Sequence, residues 1–514
     1  MMIALNIGST RRNLILTFTM KNKPYLLLLP ILLLAFLPMQ AQEKPVQNPP
    51  FLQNMKSTWV DSIMKTLTPD ERIAQLIMVA ANSNGGEEHK EEILKLIEEQ
   101  KIGGLIFFQG DPGSQVKLMN KYQAASEVPL LGATDAEWGI GMRLDSTISY
   151  PFQMALGAIQ DNELLYQMGV EVAKQIKRTG LHLNFAPVVD VNNNPNNPVI
   201  NYRSFGEDKY NVAEKSIAYM RGMQDQNLLT TAKHFPGHGD TDTDSHYALP
   251  QILHSLTRLD TLELYPFKKI IEAGIGGVMV AHLDIPALDS TGVPSTLSKP
   301  IITQLLKERM GFKGLVVTDA MNMKGVTEGN LPGVVDKDAI LAGNDLLEFT
   351  EDVVKAISEI RKAIDQGLIS QKEIDTRARK LLAVKQWVGL NNYKPIPLKN
   401  ILEEVNTPAA TLLNRNLVEA SLTVLKNENE ILPVQDVNVK MASISFGVDT
   451  LTTFQKTLSL YANVAHFNLP LEATEKQVDS IKQRLENYDL IFGGIHDDSK
   501  FPRNTIKFSE EAVE

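Results

Sequence analysis

Residues 314–319 read Gly-Leu-Val-Val-Thr-Asp, an unbroken apolar run closed by a carboxylate. Continuous rather than alternating apolarity means that both faces of the strand are buried, as in a parallel sheet flanked by helices. The same grammar recurs along the chain. Ile73–Ala80, Ile102–Phe108, Pro129–Thr134, Leu183–Val189, Leu228–Ala232, Gly277–Ala281 and Asp345–Phe349 are similar runs. Stretches with helical spacing separate them, among them Lys90–Gln100 and Leu297–Met310. Eight strands alternating with helices over this length predict an α/β fold, a TIM-like (β/α)8 barrel. A doubly wound open sheet competes with that reading.

Beyond the eighth run, Glu351–Ala363 and Gln371–Val388 read as amphipathic helices, and Gly389–Lys399 as a linker. A helix near Ala409–Leu422 then leads to three further runs, Met441–Phe446, Val464–Phe467 and Tyr488–Gly493. Residues 42–395 are therefore assigned to the barrel, and 396–514 to a second, partial α/β domain with a parallel sheet. The sequence stops as Phe508–Glu514 opens another helix, so this second domain is read as truncated.

The N-terminal stretch is read as an address. Lys21 and Lys23 precede an apolar segment, Tyr25–Leu37, too short to span a bilayer but suited to a signal-peptide core. The expected start is Met20, with cleavage after Ala41 and a mature terminus near Gln42; residues 1–41 are assigned to the signal. No Cys follows that could carry a lipid anchor. The expectation is export to the periplasm or cell surface, with no stable membrane insertion after cleavage.

The whole chain of 514 residues is 43% hydrophobic and 22% charged, with 51 Lys+Arg against 61 Asp+Glu and a formal charge of -10. A net acidic protein lacks the basic stripe that a nucleic-acid binder needs, so no nucleic acid is expected as partner. The absence of cysteine removes disulfide scaffolds, thiolate metal sites and thiol nucleophiles together.

Chemistry gathers where strands end. The third run terminates in Asp135, with Glu137 and Arg143 behind it; the fourth in Asp190, with Arg203 in the loop that follows. The fifth ends in Lys233-His234, the sixth in His282-Leu-Asp284, the seventh in Asp319. In a parallel barrel these ends meet at one face, where the sites of such barrels lie. Three of the nine histidines fall in 233–246, Lys-His-Phe-Pro-Gly-His-Gly-Asp-Thr-Asp-Thr-Asp-Ser-His. Metal is not expected there. Asp240, Asp242 and Asp244 imitate a calcium loop, but Ser245 stands where Gly is required and Gln251 where the bidentate Glu belongs. Pro236 and Gly237 rule out the helix that would present His234 and His238 to one zinc. Asp240 and Asp242 are expected to cap backbone N–H groups in a solvated turn.

These segments resemble glycoside hydrolase family 3, in its β-N-acetylhexosaminidase branch. Lys233–Gly239 with Asp244-Ser-His246, Gly314–Asp319, Asn201–Gly206 and Leu183–Asp190 are similar to family motifs in the family's order, and the resemblance spans roughly 55–390. It implies a carbohydrate substrate, release of terminal N-acetylglucosamine from glycosides such as peptidoglycan fragments, and no cofactor. It implies Asp319 as nucleophile, His246 as acid/base catalyst and Asp244 as its orienting partner. Asp135, Arg143, Arg203, Lys233 and His234 match residues that bind the sugar. The chain departs from the pattern at Asp135-Ala-Glu-Trp-Gly139, where the family commonly shows Asp-Gln-Glu-Gly-Gly.

A retaining mechanism suits these residues: one carboxylate forms a glycosyl-enzyme, and one acid protonates the leaving oxygen and then deprotonates water. An imidazole, ordinarily titrating near 6.5, fits that double role, and Asp244 would favour its charged form. Glu137 is the reserve candidate for the acid. A β-glucosidase or phosphorylase of the same family, or an inactive sugar-binding module, are the alternatives.

Overall fold

The computed structural model describes residues 47–496 except 246 and 330; the signal-peptide segment, the final helix near 508–514 and His246 lie outside the described residues. Eight parallel strands form one sheet: β1 (Ile77–Ala81), β2 (Gly104–Phe107), β3 (Leu131–Thr134), β4 (Leu183–Asn184), β5 (Leu229–Phe235), β6 (Gly277–Val280), β7 (Leu315–Thr318) and β8 (Leu347–Glu348). They lie in chain order, with β8 beside β1. A bridge between Val317 and Leu346 joins β7 to the approach of β8 and completes the ring. That closure decides against the open sheet, whose strand order would reverse at a switch point.

Every residue of β2, β3, β6 and β7 is buried, as unbroken apolar runs require. Helices cover the outside, including Asn162–Arg178, Lys209–Gln224 and Gln371–Trp387. The first run is half helix: Ile73 and Ala74 belong to Pro69–Ala74, and the strand begins only at Ile77. A capping box causes this, because the Thr68 hydroxyl accepts the Glu71 N–H while the Glu71 carboxylate accepts the Thr68 N–H at 2.7 Å.

Met441–Phe446 (β9), Val464–Leu469 (β10) and Leu490–Ile495 (β11) make a second parallel sheet with β9 at its centre. Ala442, Ile444, Phe467, Leu469 and Val478 form its own small core. Helices Ile401–Val405 and Pro408–Ser421, which the sequence reading places beyond the boundary, send Val405 and Leu417 into the barrel's core instead. Asn406 fastens them there, accepting the Ile148 N–H at 3.0 Å and donating to the Ser146 carbonyl at 2.8 Å. Among the described residues no helix is long and apolar enough to cross a membrane.

Candidate active site

The C-terminal ends of the strands surround a cleft of about 330 Å³, at the small end of the range for small-molecule sites. Asp135, Arg143, Arg203, Lys233, His234, Asp244 and Asp319 all line it, so seven of the eight residues singled out from sequence share one cleft. The eighth, His246, lies outside the described residues.

An alternating lattice of charges forms one wall. Lys233 Nζ, its side chain 3% exposed, sits 2.8 Å from Asp135 and 2.8 Å from Glu137. Arg143 pairs with the other oxygen of Asp135 at 2.5 Å, and Arg203 grips Glu137 with two bonds of 2.7 and 3.0 Å. Burial alone would raise both carboxyls; for Asp135, Lys233 and Arg143 overcome it and hold the group well below the usual carboxylate range. For Glu137, Arg203 and Lys233 bring it down to about 2. Glu137 is thus an ionised strut, not a proton donor, and its reserve role as the acid is set aside.

Asp190, the end of the fourth run, is fully buried and organises the loop after β5. It accepts the backbone N–H of His234 at 3.1 Å and of His238 at 2.7 Å, and lies 2.7 Å from His234 Nδ1. His234 Nε2 in turn stands 3.2 Å from the Arg203 guanidinium. His238 is buried against Thr241 Oγ1 at 2.8 Å, and burial, with His234 nearby, pushes its imidazole down to about 4.

Asp319 follows β7 directly. Its N–H donates to the Val280 carbonyl at 2.9 Å, and one carboxylate oxygen accepts the Ala320 N–H at 2.9 Å. Burial opposes its ionisation, but the imidazoles of His234 and His282, that N–H and Lys233 outweigh it and keep the carboxyl below its ordinary value. His282 supports the turn from outside the cleft, with Nε2 3.0 Å from the Ala320 carbonyl. Asp284 points elsewhere, accepting from Gln251 at 2.7 Å.

The three aspartates of the acidic loop turn to different partners. Asp240 pairs with His254, Gln251 turns to Asp284, and Asp244 faces the cleft. The expected capping role of Asp240 is replaced by that ion pair, while Asp242 accepts from the Thr243 hydroxyl at 3.2 Å. Ligand atoms of Asp240, His254 and Glu263 do lie within 4.8 Å of one another. Arg258 already stands among them, 3.1 Å from Glu263 and 3.5 Å from Asp240, so a side-chain cation compensates this cluster.

The sequence reading singled out Trp138 as a departure from the family pattern but missed Glu348 and the aromatic partners of Trp138. Trp138, Phe152 and Tyr202 stack together, with Trp138 and Tyr202 in the cleft wall. Glu348 ends β8 inside the cleft. It lies inside Asp345–Phe349, a run that closes on Phe349 rather than on a charged residue.

A parallel barrel whose C-terminal rim holds an ionised Asp beside a cation-lined cleft for one small polar ligand has the form of a sugar-cleaving site. The N-terminal domain of glycosyl hydrolase family 3 matches residues 68–384, and the chain belongs to that family. A solved glycoside hydrolase family 3 beta-N-acetylglucosaminidase from Paenibacillus sp. str. FPU-7 is 32% identical, with a TM-score of 0.69 over 83% of this chain and 84% of that one. Beta-hexosaminidase A of Pseudoalteromonas piscicida is 30% identical over 378 residues, 67% of this chain and 62% of the relative's length. A beta-hexosaminidase of Neisseria meningitidis serogroup B is 32% identical over 301 residues, covering 56% of this chain and 81% of the relative.

Proposed function

We propose that the protein is an exo-acting, retaining β-N-acetylglucosaminidase that removes terminal N-acetylglucosamine from glycosides, peptidoglycan fragments among them. The observation that carries this reading is Asp319, ionised at the end of β7 and facing a cleft sized for a single sugar ring. Asp319 would attack the anomeric carbon, forming an ester as the glycosidic bond breaks. His246, oriented by Asp244, would give its proton to the departing oxygen and then take one from the water that cleaves the ester. Asp135, Arg143, Lys233, Arg203 and His234 would hold the sugar's hydroxyls and acetamido group. The ion-paired state of Glu137 supports His246 over that carboxyl as the acid, since Arg203 and Lys233 hold Glu137 ionised. Trp138, absent from the common family pattern, lines the cleft and would meet the aglycon.

The same reading places the mature enzyme outside the cytoplasm, beginning near Gln42. The activity is tested with p-nitrophenyl N-acetylglucosaminide and the corresponding glucoside, each with and without inorganic phosphate. Preferential turnover of the acetamido substrate, unchanged by phosphate, is expected. Preference for the glucoside, or turnover that depends on phosphate, would overturn it.

A further inference from the structure

Glu348 is a carboxyl of the cleft that neither the mechanism nor the charge lattice uses. It is 3% exposed, at the last position of β8, and it lines the cleft together with Asp135 and Asp319. Its backbone is fixed on both sides: the N–H donates to Thr318 Oγ1 at 2.9 Å, and the carbonyl accepts the Met321 N–H at 2.9 Å. Phe349 turns the chain away immediately afterwards with a φ of 58°, a costly conformation for an aromatic residue. From this fixed backbone the residue lines the cleft. Yet among the described residues its carboxyl has no hydrogen-bond or ion-pair partner, although Lys233 and Arg143 serve its neighbours. A carboxyl on a nearly buried residue that lines a ligand cleft, with no protein partner there, points to a ligand atom.

We propose that Glu348 is a specificity-determining residue of the glycon pocket, its carboxyl hydrogen-bonding to one hydroxyl of the terminal sugar. This deepens the reading above and rests on it. A hydroxyl is the group that fits. Burial, reinforced by the carboxylates of Asp135 and Asp319 and only partly offset by Lys233 and Arg143, raises the Glu348 carboxyl well above its ordinary value. That shift favours the protonated acid, one O–H donor beside one carbonyl acceptor. That pair matches a sugar hydroxyl, which both accepts and donates.

The test uses N-acetylglucosamine and its series of monodeoxy analogues, with dissociation constants measured by calorimetry on the full chain. In the wild type, the analogue lacking the contacted hydroxyl should bind about tenfold or more weakly than the parent sugar, because the buried acid is left unpaired. In Glu348→Leu the parent should weaken, and that one analogue should then bind within about twofold of it. Glu348→Gln keeps a donor and an acceptor, so part of the discrimination should survive; it also serves if the leucine variant does not fold. A merely structural role would lower affinity for every analogue alike, and that result would overturn the proposal. Wild type that binds N-acetylglucosamine normally but shows the same discrimination in all variants would overturn it too. Failure of the wild type to bind N-acetylglucosamine at all would instead remove the proposed function, and this inference with it.

Discussion

Replacing Lys233 by methionine takes away the cation that two buried carboxylates share, 2.8 Å from Asp135 and 2.8 Å from Glu137. Holding Glu137 at about 2 against an ordinary 4.5 corresponds to about 3 kcal/mol in favour of the ionised native form. Burial opposes that preference, and Arg203 and Lys233 outweigh it. Assigning roughly half to Lys233, and a similar share for Asp135, gives about 3 kcal/mol lost at neutral pH, the lower end of what breaking a buried pair costs. Methionine replaces most of the lysine stem, so little cavity is added. Both carboxyls titrate lower in the folded protein than in the unfolded chain. Their stabilisation is therefore complete above the unfolded values near 4 and is lost as pH falls through about 2 and below. In the variant they titrate closer to ordinary values, so its deficit should shrink as pH drops from about 5 to about 3. Urea unfolding followed by tryptophan fluorescence measures this, Trp138 lying in the same cleft. A loss under about 1 kcal/mol at neutral pH, or an equal loss at both ends of that range, would refute the charge lattice as described.

Asp190→Asn should lower stability by about 2–3 kcal/mol, because an amide cannot accept all the bonds that the carboxylate now receives from His234 and His238; a thermal unfolding midpoint equal to wild type would contradict this. Gly239→Ala would place a methyl group 1.8 Å from the Val191 carbonyl oxygen, forcing the loop of Asp244 to move. Turnover should fall about a hundredfold, and a variant within threefold of wild type would show that the loop tolerates the shift. His246→Ala should cripple hydrolysis of a disaccharide far more than bond cleavage in an aryl glycoside, and azide should speed turnover of the latter; equal losses without azide rescue would remove His246 from the acid/base role.

The barrel was legible because strands buried on both faces must be apolar throughout, and a terminal Asp, Lys or His stands out against such a run. Boundaries were less so. Ile73 and Ala74 read as strand because apolar residues alone carry no period over so short a span, and only the Thr68–Glu71 capping box shows that a helix precedes β1. Val405 and Leu417 look like any amphipathic residues past a Pro-containing linker; that they return to the barrel depends on Asn406 meeting Ile148, a contact between distant segments. The site divides in the same way. Asp319 and Lys233 announce themselves locally, whereas Glu137 stays a reserve candidate for the acid until Arg203 and Lys233 are seen to pair with it. Glu348 was hidden by the apolar residues around it, since an acid inside such a run gives no sign of which way it faces.

The central claim is that Asp319 becomes covalently attached to the sugar. A fluorinated N-acetylglucosaminyl fluoride, which forms the glycosyl-enzyme readily but releases it slowly, traps that state for intact-protein and peptide mass spectrometry. The expected result is one added sugar on the peptide that carries Asp319, with no adduct in Asp319→Ala and turnover reduced by orders of magnitude in that variant. An adduct on another residue, or clean release of sugar with inverted configuration and no adduct, would contradict the account.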